Sequence, residues 1–250
     1  MDKDHWQEKG KGHRGRLRDR FQEKGLDSLN DAEVLELLLS FGTPRSDCKE
    51  QARAALDRFG SFSSVLEASS ADLQLIEGIG PKNSFAVHFV QAVSRRYLKE
   101  RLRGKRYLHS SEQVREYLLH SMRGLKKEIF TVIFLDSSHA VIDSEILTEG
   151  TLASTTVYPR ELVIKALHHN AAALIVAHNH PSGSLKPSLQ DRNLTRSLYL
   201  VAHYLDIRIL DHLIIGDGFF SFADHGLMDQ IREECSTLAR AGGSLPQSSF

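Results

Sequence analysis

The chain has 250 residues, of which 41% are hydrophobic and 26% charged, and its formal net charge at pH 7 is zero. These values exclude a disordered or fibrous chain and allow a sizeable core in one large or two small domains. No apolar run is long enough for a transmembrane helix, and Cys48 and Cys235 form no disulfide framework. The N-terminus lacks the apolar segment of a secretory signal, so we expect a cytoplasmic protein without a membrane partner.

The first half of the chain predicts helices. Residues 30–106 carry apolar positions at helical spacing, with Asn30 or Asp31 as the first cap and a long amphipathic helix after Pro81. Charge is unevenly spread, because residues 1–106 are mildly basic and the rest mildly acidic. Arg95 to Arg106 hold seven positive charges and one negative charge. Such a stretch can contact phosphates, but it is also typical of a solvated helix end followed by a linker.

The segment "IEGIGPKN" joins a short helix to this long one through Gly78, Ile79 and Gly80. Two glycines permit a tight turn with accessible N–H groups, and the helix that starts at Pro81 points its N-terminal dipole to the same place. With Lys82 added, the turn could hold one DNA phosphate without reading bases. The alternative is a tight helical connection used only for packing. The earlier "SFGTPRSD" resembles a degenerate sister hairpin without the second glycine.

The second half has a different pattern. "EIFTVIFLD" predicts a buried strand, and strands and helices then alternate in the order β-β-α-β-α-β-β, with a Gly-Asp-Gly turn at Gly216 to Gly218 between the last two strands. This order is typical of an α/β fold with a mixed sheet flanked by helices. We therefore predict a helical domain over 1–105, an α/β domain over 106–235 and a flexible tail over 236–250.

The stretch "HNHPSGSLKPSLQD" ends one of the apolar strands. Residues two apart on an extended segment project to the same face, so His178 and His180 could bind one metal ion while Asn179 points away. Pro181 stops the strand, and Asp191 lies where the next helix begins, from which it could supply a third ligand. Ser188 and Asp191 also have the spacing of a capping box. The two interpretations are compatible, since a cap fixes the start of the helix.

His-x-His, seven residues, Ser, two residues, Asp is the spacing of the JAMM motif of MPN-type metalloproteases. With "TEGTLASTTVYPRELVIKAL" before it, "DIRILDHLIIGDGFFSF" after it, and "HRGRLRDRF", "AEVLELLL" and "IEGIGPKN" in the first half, the chain resembles the RadC family over nearly its whole length. The resemblance implies a mixed-sheet MPN domain related to the cytidine deaminase fold, preceded by an all-α region with a helix-hairpin-helix motif. Gly78, Gly80 and Lys82 would be its DNA-binding residues.

The resemblance further implies that His178, His180 and Asp191 bind Zn²⁺ and that a glutamate on the first strand of the domain is the general base. Glu128 matches that position, with Glu145, Glu149 and Glu161 as rivals by proximity in sequence. Glu128 would take a proton from the attacking water and return it to the leaving amine, while Ser188 would donate to the developing oxyanion. The substrate would be a protein or peptide with a scissile peptide or isopeptide bond.

Three hypotheses follow for the function. The first is a zinc-dependent metallopeptidase that contacts DNA through its first half. The second is a DNA-binding, repair-associated protein whose metal site is structural or idle, and the third is a metal-dependent nuclease. Two histidines and one carboxylate favour zinc over the several carboxylates typical of nuclease sites. For the pair Asp211-His212 we favour a structural role over one that supports the metal ligands, and we place His168 and His169 on the surface.

Overall fold

The computed structural model describes residues 12–43, 48–149 and 157–241. The chain divides into two compact units, Met1–Ser94 and Arg95–Phe250. The division falls inside the long helix that begins at Pro81, as the sequence predicts, and ends at Leu102. The predicted domain limits of 1–105, 106–235 and 236–250 stay a prediction, and each unit is described by itself below.

The first unit is helical throughout its described residues. Asn30 is the N-cap of the second helix and forms a capping box with Glu33, each backbone N–H donating to the other residue's side chain at 3.0 Å. The Ser61 and Ser69 hydroxyls cap two short helices by accepting from the N–H groups of Ser64 and Asp72. The helices are α1 (His13–Lys24), α2 (Asp31–Leu39), α3 (Lys49–Phe59), α4 (Phe62–Glu67), α5 (Ser70–Leu73) and the first part of α6 (Pro81–Leu102).

Apolar residues from these helices form one core, and a buried asparagine ties two of its segments together. The Asn83 side-chain NH₂ donates to the Leu39 carbonyl and to Thr43 Oγ1, both at 2.7 Å. Gly42 approaches the start of α6 so closely that a Cβ there would lie 2.6 Å from the Asn83 nitrogen. The remainder of the predicted sister hairpin, residues 44–47, lies outside the described residues. The fully buried members of the core include Leu35, Leu39, Ala52, Ala55, Leu73 and Val87.

The second unit is built on a five-strand mixed sheet within its described residues, in the order β2-β1-β3-β4-β5. Pairing is antiparallel for β2/β1, β1/β3 and β4/β5, and parallel for β3/β4. From β1 to β5 the order of strands and helices is the predicted one, and the fold class is confirmed. The elements are α7 (Tyr107–Met122), β1 (Ile129–Leu135), β2 (Val141–Glu149), α8 (Pro159–His168), β3 (Ala173–Asn179), α9 (Leu189–His203), β4 (Arg208–Ile215), β5 (Phe219–Ser221) and α10 (Leu227–Ala241).

Both faces of this sheet are covered, which explains why β1 and β3 are buried along their whole length and are mostly apolar. On one face, Phe130, Val132 and Phe134 pack in a cluster with residues of α8, α9 and α10. On the other, Ile133 and Leu135 pack with α7 and with the end of α6 at Leu102. The central strands are therefore rigid supports, and their ends are fixed in place.

Two helices of this unit are absent from the sequence prediction, although their apolar spacing is helical. In α7 the buried side chains include Val114, Tyr117, Leu118 and Met122, and in α10 they include Ile231 and Cys235. The helix α10 extends to Ala241, so the predicted tail over 236–250 begins inside it, and residues 242–250 lie outside the described residues. Each helix covers one face of the sheet, and burial against the sheet supplies most of its stability.

Cys48 and Cys235 are both buried. Among the described residues, no helix is both long enough and apolar enough to cross a membrane.

Candidate metal centre

The centre forms where β3 ends. His178 is the second-last residue of β3 and is buried, and His180 directly follows the strand with its N–H donating to the Ile215 carbonyl of β4 at 2.8 Å. As the extended geometry predicts, the two imidazoles lie on one face, and the side chain of Asn179 lies on the other. The neighbouring strands thus hold both histidines in place.

Asp191 reaches the same point from the first turn of α9, and the predicted capping box is present. Ser188 Oγ accepts from the Asp191 N–H at 3.1 Å, and Asp191 Oδ2 accepts from the Ser188 N–H at 2.7 Å. The Ser188 hydroxyl donates to the same Oδ2, also at 2.7 Å. Asp191 is therefore both a member of the capping box and a candidate ligand, and the capping box orients its carboxylate toward the histidines.

The three candidate ligands converge. His178 Nε2 lies 3.0 Å from His180 Nε2 and 3.1 Å from Asp191 Oδ1, and His180 Nε2 lies 3.6 Å from Asp191 Oδ2. Their ligand atoms all lie within 4.8 Å of one another. Among the described residues, no other three His, Cys, Asp or Glu side chains converge in this way. Two imidazole nitrogens and one carboxylate oxygen suit a divalent transition metal with one open position. The residues present therefore fit a metal ion.

The charges of these groups support one another. Burial alone would raise the pKa of Asp191, but its contacts with the His178 and His180 imidazoles and the hydrogen bond from Ser188 outweigh burial and hold that pKa below its usual range. The neighbouring Asp191 carboxylate raises the pKa of His180, with smaller contributions from the Ser184 carbonyl and the Glu128 charge, against the effect of burial. A carboxylate that stays ionised is the form that a metal binds.

The loop between His180 and Ser188 fixes one tautomer. His180 Nδ1 lies 2.9 Å from the Ser184 carbonyl, which can only accept, so Nδ1 carries the proton and Nε2 offers its lone pair to the site. The loop is supported by the turn between β4 and β5, where the Asp217 N–H donates to the Gly183 carbonyl at 3.0 Å. A Cβ at Gly216 would lie 2.3 Å from that same carbonyl oxygen, so glycine is required at this contact.

Glu128 is half-buried and directly precedes β1. Its charge is close enough to raise the pKa of His180. The backbone on both sides of it is pinned by Asn179, whose Oδ1 accepts from the Ile129 N–H at 2.8 Å and whose NH₂ donates to the Lys127 carbonyl at 3.0 Å. Asn179 is 2% exposed. The residue between the two histidines therefore holds the candidate base in position from the opposite face.

The rival glutamates have other surroundings. Glu145 on β2 pairs with Lys165 and His169 of the α8 region, at 2.6 Å each, and these contacts outweigh burial to lower its pKa. Glu149 is exposed at the end of β2, and Glu161 lies in the first turn of α8 beside Arg160. His169, which we predicted on the surface, is instead half-buried and stacked on Phe134 at 4.2 Å, because the chain turns back onto the sheet after α8.

Two buried residues near the ligands had no clear signal in the sequence. His212 of β4 is fully buried, with Nε2 2.8 Å from His178 Nδ1 and Nδ1 2.6 Å from Thr195 Oγ1. Thr195 in turn donates to the Asp191 carbonyl at 2.6 Å. Of the two roles considered for Asp211-His212, the supporting one describes His212. Asp211 lies apart, accepting from Ser221 Oγ and from the Ala223 N–H.

The residues predicted to contact DNA lie at the start of α6. Gly78 has φ +84°, Ile79 packs inward, and Lys82 is exposed. The N–H groups of Ile79 and Gly80 already have acceptors within the unit, that of Gly80 being Asn83 Oδ1 at 3.1 Å. The turn is therefore fixed from inside, and Lys82 is its available cationic group for a phosphate.

The comparison with protein families agrees with the fold. A model described as the RadC-like JAB domain matches residues 108–227, and one described as the UPF0758 N-terminal domain matches residues 11–85. The mixed sheet with His178, His180 and Asp191 at one strand end is thus a JAB, or MPN-type, domain preceded by a helical region.

Similar proteins extend over most of the chain. A UPF0758 protein of Vibrio parahaemolyticus is 44% identical over 84% of this chain and 94% of its own length. Relatives from Pseudomonas fluorescens and Variovorax paradoxus are 43% and 40% identical, covering 84% and 85% of this chain and 95% and 96% of their own. The chain belongs to the UPF0758 (RadC) family, which confirms the resemblance drawn from the sequence.

Proposed function

We propose that this chain is a zinc-dependent hydrolase that cuts peptide or isopeptide bonds. The observation that carries the proposal is the convergence of His178 Nε2, His180 Nε2 and the Asp191 carboxylate beside Glu128. Zinc prefers imidazole nitrogen with a carboxylate, and three protein ligands leave a position for water. When bound, zinc would lower the pKa of that water and polarise a substrate carbonyl.

The chain's own residues supply the proton transfers. Glu128 is a half-buried carboxylate on a pinned backbone, so it can accept the proton of the attacking water and deliver it to the nitrogen of the leaving amine. The net reaction adds one water across the amide bond, giving a carboxylic acid and an amine. Held by Asn179, Glu128 performs both steps without a change of backbone conformation.

Ser188 was predicted to donate a hydrogen bond to the oxyanion that develops on the substrate. Its hydroxyl proton is donated to Asp191 Oδ2 in the structure. To donate to a substrate oxyanion it must leave that acceptor, while the Ser188 N–H keeps its own bond to the carboxylate. Orientation of Asp191 is therefore the role that the contacts support directly, and oxyanion stabilisation is a second role that requires one bond rotation.

The test is metal content and cleavage in matched variants. We expect about one zinc per chain in the wild type by mass spectrometry, and its loss in the His178→Ala/His180→Ala double variant. Glu128→Gln should keep the zinc and lose cleavage of a mixed peptide library, scored by new N-termini. Glu145→Gln is the matched control and should keep both. No zinc in chelator-free wild type contradicts the proposal, and zinc loss in Glu128→Gln makes Glu128 a ligand instead.

For the first unit we propose contact with DNA phosphates through the turn at Gly78 to Lys82. The support is the exposed Lys82 at the start of a long helix, where the dipole favours an anion.

A further inference from the structure

The proposal concerns how His178 is prepared to bind metal. A neutral imidazole has one N–H and one lone pair, and only the nitrogen with the lone pair can bind a metal ion. For His178 the nitrogen that faces Asp191 and His180 is Nε2. The proton must therefore be on Nδ1, and the structure shows what Nδ1 faces: Nε2 of His212, at 2.8 Å.

The directions of the hydrogen bonds follow from the contacts of Thr195, which lies on the other side of His212 from His178. The Asp191 carbonyl can only accept, so the Thr195 hydroxyl donates its single proton there, at 2.6 Å. Thr195 Oγ1 then has only lone pairs for His212, and His212 Nδ1, 2.6 Å away, must be the donor.

His212 completes the relay. It is 0% exposed, with its ring stacked on Phe222 at 4.8 Å and in edge contact with Phe130 at 5.8 Å. A second proton on this ring would bury a charge in apolar surroundings without a carboxylate partner. With its proton on Nδ1, His212 presents a lone pair at Nε2, and that lone pair accepts from His178 Nδ1–H.

We propose that Thr195 and His212 are positioning residues that hold His178 in the Nδ1–H tautomer and so direct its Nε2 lone pair into the metal centre. The inference rests on the proposed metal site and deepens it. The relay begins at the backbone of Asp191 and ends at the ring of His178, so it also links two ligands from different elements, α9 and β3. His180 is set independently, through the Ser184 carbonyl.

One substitution pair isolates the Thr195 hydroxyl. Thr195→Val keeps the shape but removes the acceptor for His212 Nδ1–H, whereas Thr195→Ser keeps the hydroxyl. Without that acceptor, the buried Nδ1–H of His212 would have no partner. The tautomer with the proton on Nε2, which donates to His178 Nδ1, would then be favoured. His178 would then carry its proton on Nε2, the nitrogen that must bind metal. Zinc binding would have to reverse both tautomers and should weaken about 10- to 100-fold.

The first readout is nitrogen-15 NMR of metal-free, histidine-labelled full-length chain at alkaline pH, where the imidazoles are neutral. We expect Nδ1–H for both His178 and His212 in the wild type and in Thr195→Ser, and Nε2–H for both in Thr195→Val. The second readout is zinc affinity by competition with a chelating dye. Thr195→Ser should bind within about threefold of the wild type, and Thr195→Val more weakly as stated.

The outcomes separate this inference from the proposed function. Wild-type His212 with its proton on Nε2 overturns the relay, even if Thr195→Val does not fold. Unchanged tautomers and unchanged zinc affinity in a folded Thr195→Val overturn it as well. A wild type that binds no zinc contradicts the proposed hydrolase instead. The inference on the tautomers stays testable in that case, because they are measured in the metal-free chain.

Discussion

Single buried polar side chains decide the geometry of the metal centre, and Asn179 shows this best. It lies between the two histidines in sequence but faces the other side of the strand, where it satisfies the Ile129 N–H and the Lys127 carbonyl. Both groups flank Glu128. The position of the candidate base therefore depends on a residue that contacts neither metal ligand nor substrate.

Removing that side chain should cost stability and loosen Glu128. We expect Asn179→Ala to lower the free energy of unfolding by about 2 kcal/mol, because the buried Ile129 N–H and the part-buried Lys127 carbonyl lose their partner. Zinc content should stay near that of the wild type, since His178, His180 and Asp191 keep their own supports. Urea unfolding with metal analysis measures both. Asn193→Ala, at an exposed position, is the control and should stay within about 0.5 kcal/mol.

If Asn179→Ala instead unfolds like the control, the two hydrogen bonds contribute nothing net, and Glu128 must be held by other contacts. Loss of zinc with unchanged stability would mean that Asn179 acts on the histidines and not on the segment before β1.

Secondary-structure elements contribute through close backbone contacts as well as through packing. The turn between β4 and β5 supports the loop that carries the Ser184 carbonyl, and this carbonyl sets the tautomer of His180. Gly216 allows the contact because its missing Cβ would lie 2.3 Å from the Gly183 oxygen. The turn is remote in sequence from the ligand motif, yet it decides where the motif's loop lies.

The two outer glycines of this turn provide a matched test. We expect Gly216→Ala to push the loop away, to cost about 1–3 kcal/mol of stability, and to weaken zinc binding as the bond from His180 Nδ1 to the Ser184 carbonyl lengthens. In Gly218→Ala the new Cβ would be 3.5 Å from Leu185 Cδ1, an ordinary contact, so stability and affinity should change little. Thermal unfolding and zinc competition measure the pair. Equal effects in both variants would contradict a specific role for the Gly216 contact.

On the scale of the whole molecule, a formal net charge of zero hides two unlike halves. The excess of lysine and arginine over residues 1–106 comes from Arg95 to Arg106, at the start of the second unit, which also carries the metal centre. A protein that neutralises few phosphates binds DNA weakly and with a shallow dependence on salt. We therefore expect any DNA contact of this chain to be of that kind.

Lys82 tests this contact in the full-length chain. We expect Lys82→Gln to weaken binding to a labelled duplex and to reduce the slope of log affinity against log salt by about one, the loss of one phosphate contact. Lys24→Gln, which removes the same charge from α1 of the same unit, should change the slope less. Fluorescence anisotropy over a salt series measures both. If the two variants behave alike, general charge is responsible, and the turn at Gly78 to Lys82 has no special role.

The sequence by itself determined the alternation of strands and helices, a cap at Asn30 or Asp31, the cap at Ser188, and the family. Those features are local: strand alternation and helix capping depend on residues a few positions apart, and His-x-His followed by Ser-x-x-Asp lies within one short stretch. Two helices of the second unit, α7 and α10, were not predicted although their apolar spacing was present, and both are stabilised by burial against the sheet.

Only the tertiary structure decided which distant residues complete the site. His212 meets His178 because β4 pairs in parallel with β3, with Val176 opposite His212, and Thr195 joins them because α9 packs on the same face. Gly216 meets Gly183 for the same kind of reason. Register and packing between segments tens of residues apart arise from burial of the shared core, which no local pattern encodes. The ligands of the candidate centre were readable from the sequence, whereas the hydrogen bonds that aim them were not.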